Sequence, residues 1–169
     1  LARCTATLAE LIRRTSTELP ADIAAALAAG RAAEAPGDRA DATLGTILDN
    51  AALAATRTVP MCQDTGTLTF WFDVPRGSDA RFYGEAAREA VRIATAKGWL
   101  RLNVIDVPSG AQIADNVAEG NPTINIAQRD VAQATARLLM KGGGSENMSV
   151  QYSLPDTTLG AGRDLEGVR

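Results

Sequence analysis

The sequence contains no histidine. This absence excludes the commonest general base, the commonest zinc ligand and every His-dependent catalytic triad. Any chemistry in the chain must therefore use carboxylate, amide, hydroxyl, amino, guanidinium or thiol groups, or a cofactor. The sequence also lacks an apolar run of the roughly 20 residues that a membrane-spanning helix needs. We therefore expect a soluble, cytoplasmic protein without a membrane partner.

Cysteine and clustered positive charge are also scarce. The two cysteines, Cys4 and Cys62, lie far apart in unlike contexts, which does not suggest the disulfide framework of a secreted protein. The net charge of −3 argues against nucleic acid as a partner, since phosphates call for clustered Lys and Arg. A small anionic substrate stays possible, because a pocket needs only local positive charge.

What is present is the composition of one ordinary globular domain of 169 residues. Residues 1–58 are rich in Ala and predict helices, whereas residues 59–169 mix strand and helix patterns. The predicted helices span 3–18, 21–33, 40–55 and 83–97, and the strand candidates span 67–74, 102–107, 123–127 and 149–153. Residues 131–140 fit either a helix or a strand. We expect an α+β fold, in which an Ala-rich helical N-terminal region precedes a small, mostly antiparallel sheet flanked by helices.

The loop Pro60–Gly66 carries a cysteine, an amide, a carboxylate and a hydroxyl just before a strand. A thiolate at Cys62 can bind a soft metal or an iron–sulfur cluster, and Asp64 can move a proton or orient a donor. A plainer alternative is a buried cysteine followed by a turn. The spacing alone favours this alternative, because no second cysteine lies near enough to complete a chelate.

A second candidate site is the glycine loop, Lys141–Asn147. Consecutive glycines allow backbone N–H groups to converge on an anion, and the flanking Lys, Ser and Asn add charge and donors. The loop does not match the nucleotide-binding patterns, and a simple turn between strands explains it equally well. Arg101 can clamp a carboxylate or lie solvated at the surface, and the polar stretch 109–122 is typical of turns.

Together these segments resemble one family. Met61–Gly66 is similar to the Cys-Gln-Asp-Thr-Gly signature of class I fumarases and tartrate dehydratases, and Lys141–Asn147 is similar to the glycine loop of the same family. The intervening order fits as well, so the resemblance covers nearly the whole chain. It also favours a strand at 131–140.

The resemblance implies a hydro-lyase with a [4Fe–4S] cluster, held by three cysteines, that acts on a small dicarboxylic acid. Cys62 matches the first cluster cysteine. Gln63 and Asp64 match residues that contact substrate, with Asp64 a candidate for proton transfer, and Arg101 matches a carboxylate-binding arginine. The remaining matches to substrate-binding positions are Lys141, Gly142, Gly143, Gly144, Ser145 and Asn147.

The family's other two cluster cysteines, its histidine and further basic residues have no counterpart in this sequence. The resemblance therefore implies that residues 1–169 are a single-domain, N-terminal portion of an alpha chain, incomplete and inactive by themselves. It implies a beta subunit or a fused C-terminal domain as partner, in a homo-oligomer or an alpha/beta complex.

Fumarate and malate are the favoured substrate pair, because the form of the glycine loop is closer to that of fumarases. Tartrate and mesaconate are alternatives. A non-catalytic binding or assembly domain is the alternative from another functional class.

Overall fold

A computed structural model of the chain describes residues 1–62, 67–106 and 108–142, together with Pro155 and Thr157. The helices and strands, in chain order, are α1 (Ala2–Thr17), α2 (Ala21–Ala33), α3 (Arg39–Arg57), β1 (Thr67–Pro75), α4 (Ala80–Ala96), β2 (Thr123–Arg129) and β3 (Thr135–Lys141). The α+β class is confirmed, with helices followed by a sheet that helices flank. The strand predicted at 149–153 lies outside the described residues.

The three strands form one mixed sheet in the order β2-β1-β3. β1 is parallel to β2 and antiparallel to β3, so the expected antiparallel pairing holds for one of the two strand pairs. The parallel pair follows from α4, which connects β1 and β2 and provides the long crossover that parallel neighbours require. The ambiguous stretch 131–140 contributes a strand, as the resemblance favoured.

The strand predicted at 102–107 is wrong. Residue 107 lies outside the described residues, and residues 102–106 take part only in an isolated bridge between Ile105 and Gln112. The apolar residues Leu102, Val104 and Ile105 suggested a strand, but no strand of the sheet pairs with this segment. Its backbone is bonded instead to the polar loop that follows it.

The core lies between one face of the sheet and helices α1 and α4. Every second residue of β1 is buried on this face, and small residues on α4 let the helix approach the strand closely. The main members are Leu8, Ile12, Leu68, Phe70, Phe72, Val74, Ala86, Ala87, Ala90, Val91 and Ala94. The alternate residues of β1, among them Thr69, Trp71 and Asp73, point to the other face, which we call the open face because no described helix buries it.

Helix α2 packs mainly on α3 and has no fully buried residue. Neither these helices nor the other helices within the described ranges have the length and apolar character needed to cross a membrane.

Candidate functional site

Segments that flank both sequence motifs lie at one end of the sheet. In the β1–β3 pair Thr67 is directly opposite Lys141, and residues opposite each other in such a pair have Cα atoms roughly 4.5–5.5 Å apart. β2 begins near the same end, because Thr123 aligns with Thr69. We call this end, formed by Thr67, Lys141 and Thr123, the site edge. The Cys62 loop leads into Thr67, and the glycine loop begins at Lys141.

Cys62 is exposed, with a free thiol, so the alternative of a buried, hydrophobic cysteine is wrong. Its neighbour Met61 is held at both backbone groups. The Met61 N–H donates to the carbonyl of Ser16 at 2.9 Å, and the Met61 carbonyl accepts from Asn50 Nδ2 at 2.8 Å. The end of α1 and the middle of α3 thus fix the main chain next to the thiol.

The turn out of α3 directs the chain toward this position. Thr58 ends the helix with a left-handed backbone, at φ 54°, a conformation typical of helix C-termini but costly for a β-branched residue. The Val59 N–H then donates to the Ala54 carbonyl at 3.1 Å. Pro60 is buried, which anchors the loop before Cys62 reaches solvent.

Arg101 is exposed and lies shortly after α4. Because α4 returns along the sheet from the far end of β1, its C-terminus lies toward the site edge. The main chain of residues 101–104 is held by Asn116, which is 2% exposed. Asn116 Nδ2 donates to the Arg101 carbonyl at 2.8 Å, and its Oδ1 accepts from the N–H groups of Asn103 and Val104 at 3.3 and 3.4 Å.

A second buried asparagine connects this arrangement to β1. Asn121 Oδ1 accepts from the Leu68 N–H at 3.2 Å, and Asn121 Nδ2 donates to the Asn116 carbonyl at 2.6 Å. Sequence reasoning missed both residues, since stretch 109–122 resembles ordinary turns. The only signal was that Asn tolerates left-handed backbone, which Asn116 adopts at φ 57°.

The middle of the stretch 109–122 carries an ion pair. Arg92 Nε donates to Asp115 Oδ2 at 3.0 Å. The pKa of Asp115 lies below its ordinary value, chiefly because its carboxylate accepts from the backbone N–H of Val117 and secondarily because of Arg92. The ionised Asp115 therefore ties the loop to α4 one residue before Asn116.

Residues 5–169 match the family model described as fumarate hydratase (Fumerase). The chain belongs to this family. A protein of Geobacillus stearothermophilus with the provisional name fumarate hydratase class I is 40% identical over 163 residues, which cover 95% of this chain and 32% of that protein. A protein of Methanocaldococcus jannaschii, provisionally named L(+)-tartrate dehydratase subunit alpha, is 31% identical over 145 residues, or 83% of this chain and 50% of that protein.

This member of the fumarate hydratase family thus spans about a third of the length of the bacterial relative and about half of the length of the archaeal relative. Of its predicted site residues, Cys62, Arg101, Lys141 and Gly142 are described. Those outside the described residues are Gln63, Asp64, Gly143, Gly144, Ser145 and Asn147.

The described part of this chain has no group of three or more Cys, Asp or Glu side chains that could hold a metal ion. Cys62 nevertheless fits one ligand position of a cluster, because its thiol is exposed, free of a disulfide and held on an anchored loop.

Proposed function

We propose that this chain forms part of the active site of an iron–sulfur hydro-lyase that interconverts fumarate and malate. The observation that supports this proposal most is the pairing of Thr67 with Lys141. It connects the loop that carries the thiol and the loop that carries the glycines to adjacent strands. Both loops can then contact one small dicarboxylic acid.

In this proposal Cys62 binds one iron of a [4Fe–4S] cluster, which supplies a Lewis-acidic iron when bound. Arg101 pairs with one substrate carboxylate in the bidentate manner that suits a guanidinium. Lys141, the amides of Gly142 to Gly144, Ser145 and Asn147 bind the rest of the anion. Gln63 orients the substrate, and Asp64 moves a proton to or from the carbon adjacent to the one that bears the reacting hydroxyl.

The remaining ligands and basic residues would come from the rest of a longer polypeptide or from a separate subunit. The low fraction of each relative that this chain covers supports such a partner. A single-domain N-terminal portion, activity only in the complete protein, a homo-oligomer or alpha/beta complex, and a cytoplasmic location all stay predictions.

Tartrate is the second candidate substrate, because the archaeal relative carries a tartrate dehydratase name. Fumarate is favoured because the bacterial relative with the fumarate hydratase name is more similar over more of the chain. Malate and tartrate differ by one hydroxyl, which a polar pocket can discriminate strongly. Comparing kcat/KM for malate and L(+)-tartrate in the complete protein tests the choice, and a higher value for tartrate would reverse it.

The cluster is tested by anaerobic reconstitution of the full-length protein, with its second subunit if that is separate. The wild type should gain the brown colour of an iron–sulfur cluster and malate dehydratase activity, and Cys62→Ala should lose both. Cys4→Ala is the matched control, because Cys4 lies on α1 beside Tyr83 and Thr135, at the opposite end of the sheet. A colourless wild type with full hydratase activity would contradict the cluster proposal. A protein that has neither cluster nor turnover would favour the non-catalytic alternative.

A further inference from the structure

We propose that Asn116 and Asn121 are positioning residues that hold Arg101 at a fixed place relative to the start of β1. Their two side chains link the main chain of Arg101 to the start of β1 through consecutive hydrogen bonds. This inference rests on the proposed function, in which Arg101 binds a substrate carboxylate.

The bonding capacity of Asn116 is fully used. Its Oδ1 accepts from the N–H groups of Asn103 and Val104, and its Nδ2 donates to the Arg101 carbonyl and to Thr95 Oγ1, the last at 3.1 Å. A primary amide can accept two bonds and donate two. Aspartate has the same shape but cannot donate these bonds when ionised, and leaving buried main-chain groups unpaired costs free energy.

Asn121 extends the connection across the sheet end. It is 7% exposed, and its amide joins the Asn116 carbonyl to the Leu68 N–H. Leu68 is the second residue of β1, directly after the residue opposite Lys141. Three successive hydrogen bonds therefore connect the main chain of Arg101 to Leu68 at the site edge, although the two residues lie 33 positions apart in sequence.

This arrangement matters because bidentate binding of a carboxylate depends on the direction of the guanidinium as well as on its charge. Displacing a substrate-binding group by about 1 Å can reduce the rate by on the order of 100-fold. Residues 101–106 do not belong to the sheet, so its register does not fix Arg101. The asparagine pair provides that constraint.

The test uses the full-length reconstituted enzyme and the isosteric variant Asn121→Asp, which keeps Asn116 and its four bonds. We expect KM for malate to rise and kcat/KM to fall on the order of 10- to 100-fold, with cluster content per protein unchanged. Asn125→Asp is the matched control, because Asn125 Nδ2 also donates to a main-chain carbonyl, that of Phe70 at 3.3 Å, but from mid-sheet rather than the site edge. Its KM should stay at the wild-type value.

A double-mutant cycle with Arg101→Ala distinguishes positioning from a general role in folding. If Asn121 acts through Arg101, Asn121→Asp should change KM little once Arg101 is absent. Fully additive effects on KM would overturn the positioning role. If Arg101→Ala alone left KM and kcat/KM unchanged, the proposed function of Arg101 would fail instead.

Two further variants cover the case in which Asn121→Asp does not fold. Asn116→Asp removes both donated bonds. Thr95→Val removes the acceptor at 3.1 Å, together with the hydroxyl's own bonds to the Val91 and Asp115 carbonyls, but keeps the bond from Asn116 to Arg101. We expect the KM increase to be larger for Asn116→Asp than for Thr95→Val. A wild-type KM in a folded, cluster-containing Asn116→Asp enzyme would overturn the proposal, and so would a KM increase in Thr95→Val as large as that in Asn116→Asp.

Discussion

Three asparagine side chains hold main-chain segments around the proposed site: Asn50 beside Met61, Asn116 beside Arg101 and Asn121 beside Leu68. An amide can donate and accept at once and carries no charge. It can therefore be buried among main-chain groups without the desolvation cost of a carboxylate or an ammonium. Asparagine suits this part of the chain because the main chain of these loop segments lacks the hydrogen-bond partners that neighbouring strands provide.

Replacing Asn50 tests whether the anchor of the Cys62 loop matters. Asn50→Ala removes the donor to the Met61 carbonyl, and since Asn50 is exposed we expect a cost of only about 1 kcal/mol in unfolding free energy. The loosened loop should release the cluster faster. The measurement is the rate at which visible absorbance decays after adding an iron chelator to the reconstituted enzyme.

Asn125→Ala serves as the control for this experiment, because Asn125 lies on the open face of β2. Equal decay rates for the wild type, Asn50→Ala and Asn125→Ala would show that the Met61 anchor is irrelevant to the cluster.

Residues within a motif could be proposed as site residues from the sequence, whereas residues that only hold the main chain in place could not. Cys62 and Lys141 stand in segments whose order of residue types resembles a family. Asn116 and Asn121 bond to partners 15 and 53 positions away. Nothing in their neighbourhood of turn-forming residues specifies those partners, which exist only once α4 has returned the chain to the site edge.

The helix ends show how local backbone geometry shapes the elements around the site. Thr58 after α3 and Gly98 after α4 both adopt positive φ, 54° and 72°. Glycine adopts this conformation at little cost, but a β-branched residue is strained there by roughly 1–3 kcal/mol.

We therefore expect Thr58→Gly to stabilise the protein. Relief of strain exceeds the extra entropy that glycine gives the unfolded chain, so the free energy of unfolding should rise by about 1 kcal/mol. Gly98→Ala should lower it by about 1 kcal/mol, since the added Cβ would meet nothing within 4 Å and only backbone strain would change. Urea unfolding of both variants gives the comparison, and a loss of stability in Thr58→Gly would refute the strain argument.

The difference in burial between the two faces of β1 leads to a prediction about this strand. Phe70 is completely buried, whereas Trp71 on the open face is 37% exposed. Phe70→Ala should reduce the unfolding free energy by about 3–5 kcal/mol because it leaves a cavity. Trp71→Ala should cost clearly less, as measured by urea unfolding. Equal losses would mean that another segment or subunit covers the open face.

Element types were largely readable from the sequence, and strand pairing was not. The β-branched and aromatic residues of 67–74 predicted β1, and the apolar spacing predicted the helices. Whether β2 runs parallel or antiparallel to β1 depends on how α4 packs across the sheet, which no local pattern encodes. Residues 102–106 contain strand-forming residues but bond to Asn116, Gln112 and Ile113, so local preference failed there.

For the molecule as a whole, ion pairs near the surface connect neighbouring helices and strands. Arg31 on α2 pairs with Asp41 on α3 at 2.7 Å, and Asp73 of β1 accepts from Arg129 and Arg137 on the two neighbouring strands. Through these two bonds, Asp73 joins the central strand to both of its neighbours on the open face. Each such pair contributes little to the free energy of unfolding. Their combined effect is best measured as the change of that free energy with pH.

Five described carboxylates have pKa values below their ordinary range. The largest cause of the lowered pKa is Arg13 for Glu10 and Glu18, Arg31 for Asp41, Arg129 for Asp73, and the Val117 N–H for Asp115. A lowered pKa in the folded state means that the unfolded chain binds protons more readily. The stabilisation is therefore complete above the unfolded pKa values, about 3.9 for Asp and 4.3 for Glu, and disappears as pH falls through the lower folded values.

We accordingly expect the free energy of unfolding to fall steeply below about pH 4, as measured by urea titrations between neutral and acidic pH. Asp73→Asn should flatten this dependence, because a neutral amide cannot lose the charge that pairs with Arg129. High salt should flatten it too, since about 1 M salt screens exposed charges beyond roughly 3 Å. A wild-type stability that stays constant down to about pH 3 would mean that these exposed pairs form without stabilising the fold, and that the sheet and the α2–α3 pair are held by packing alone.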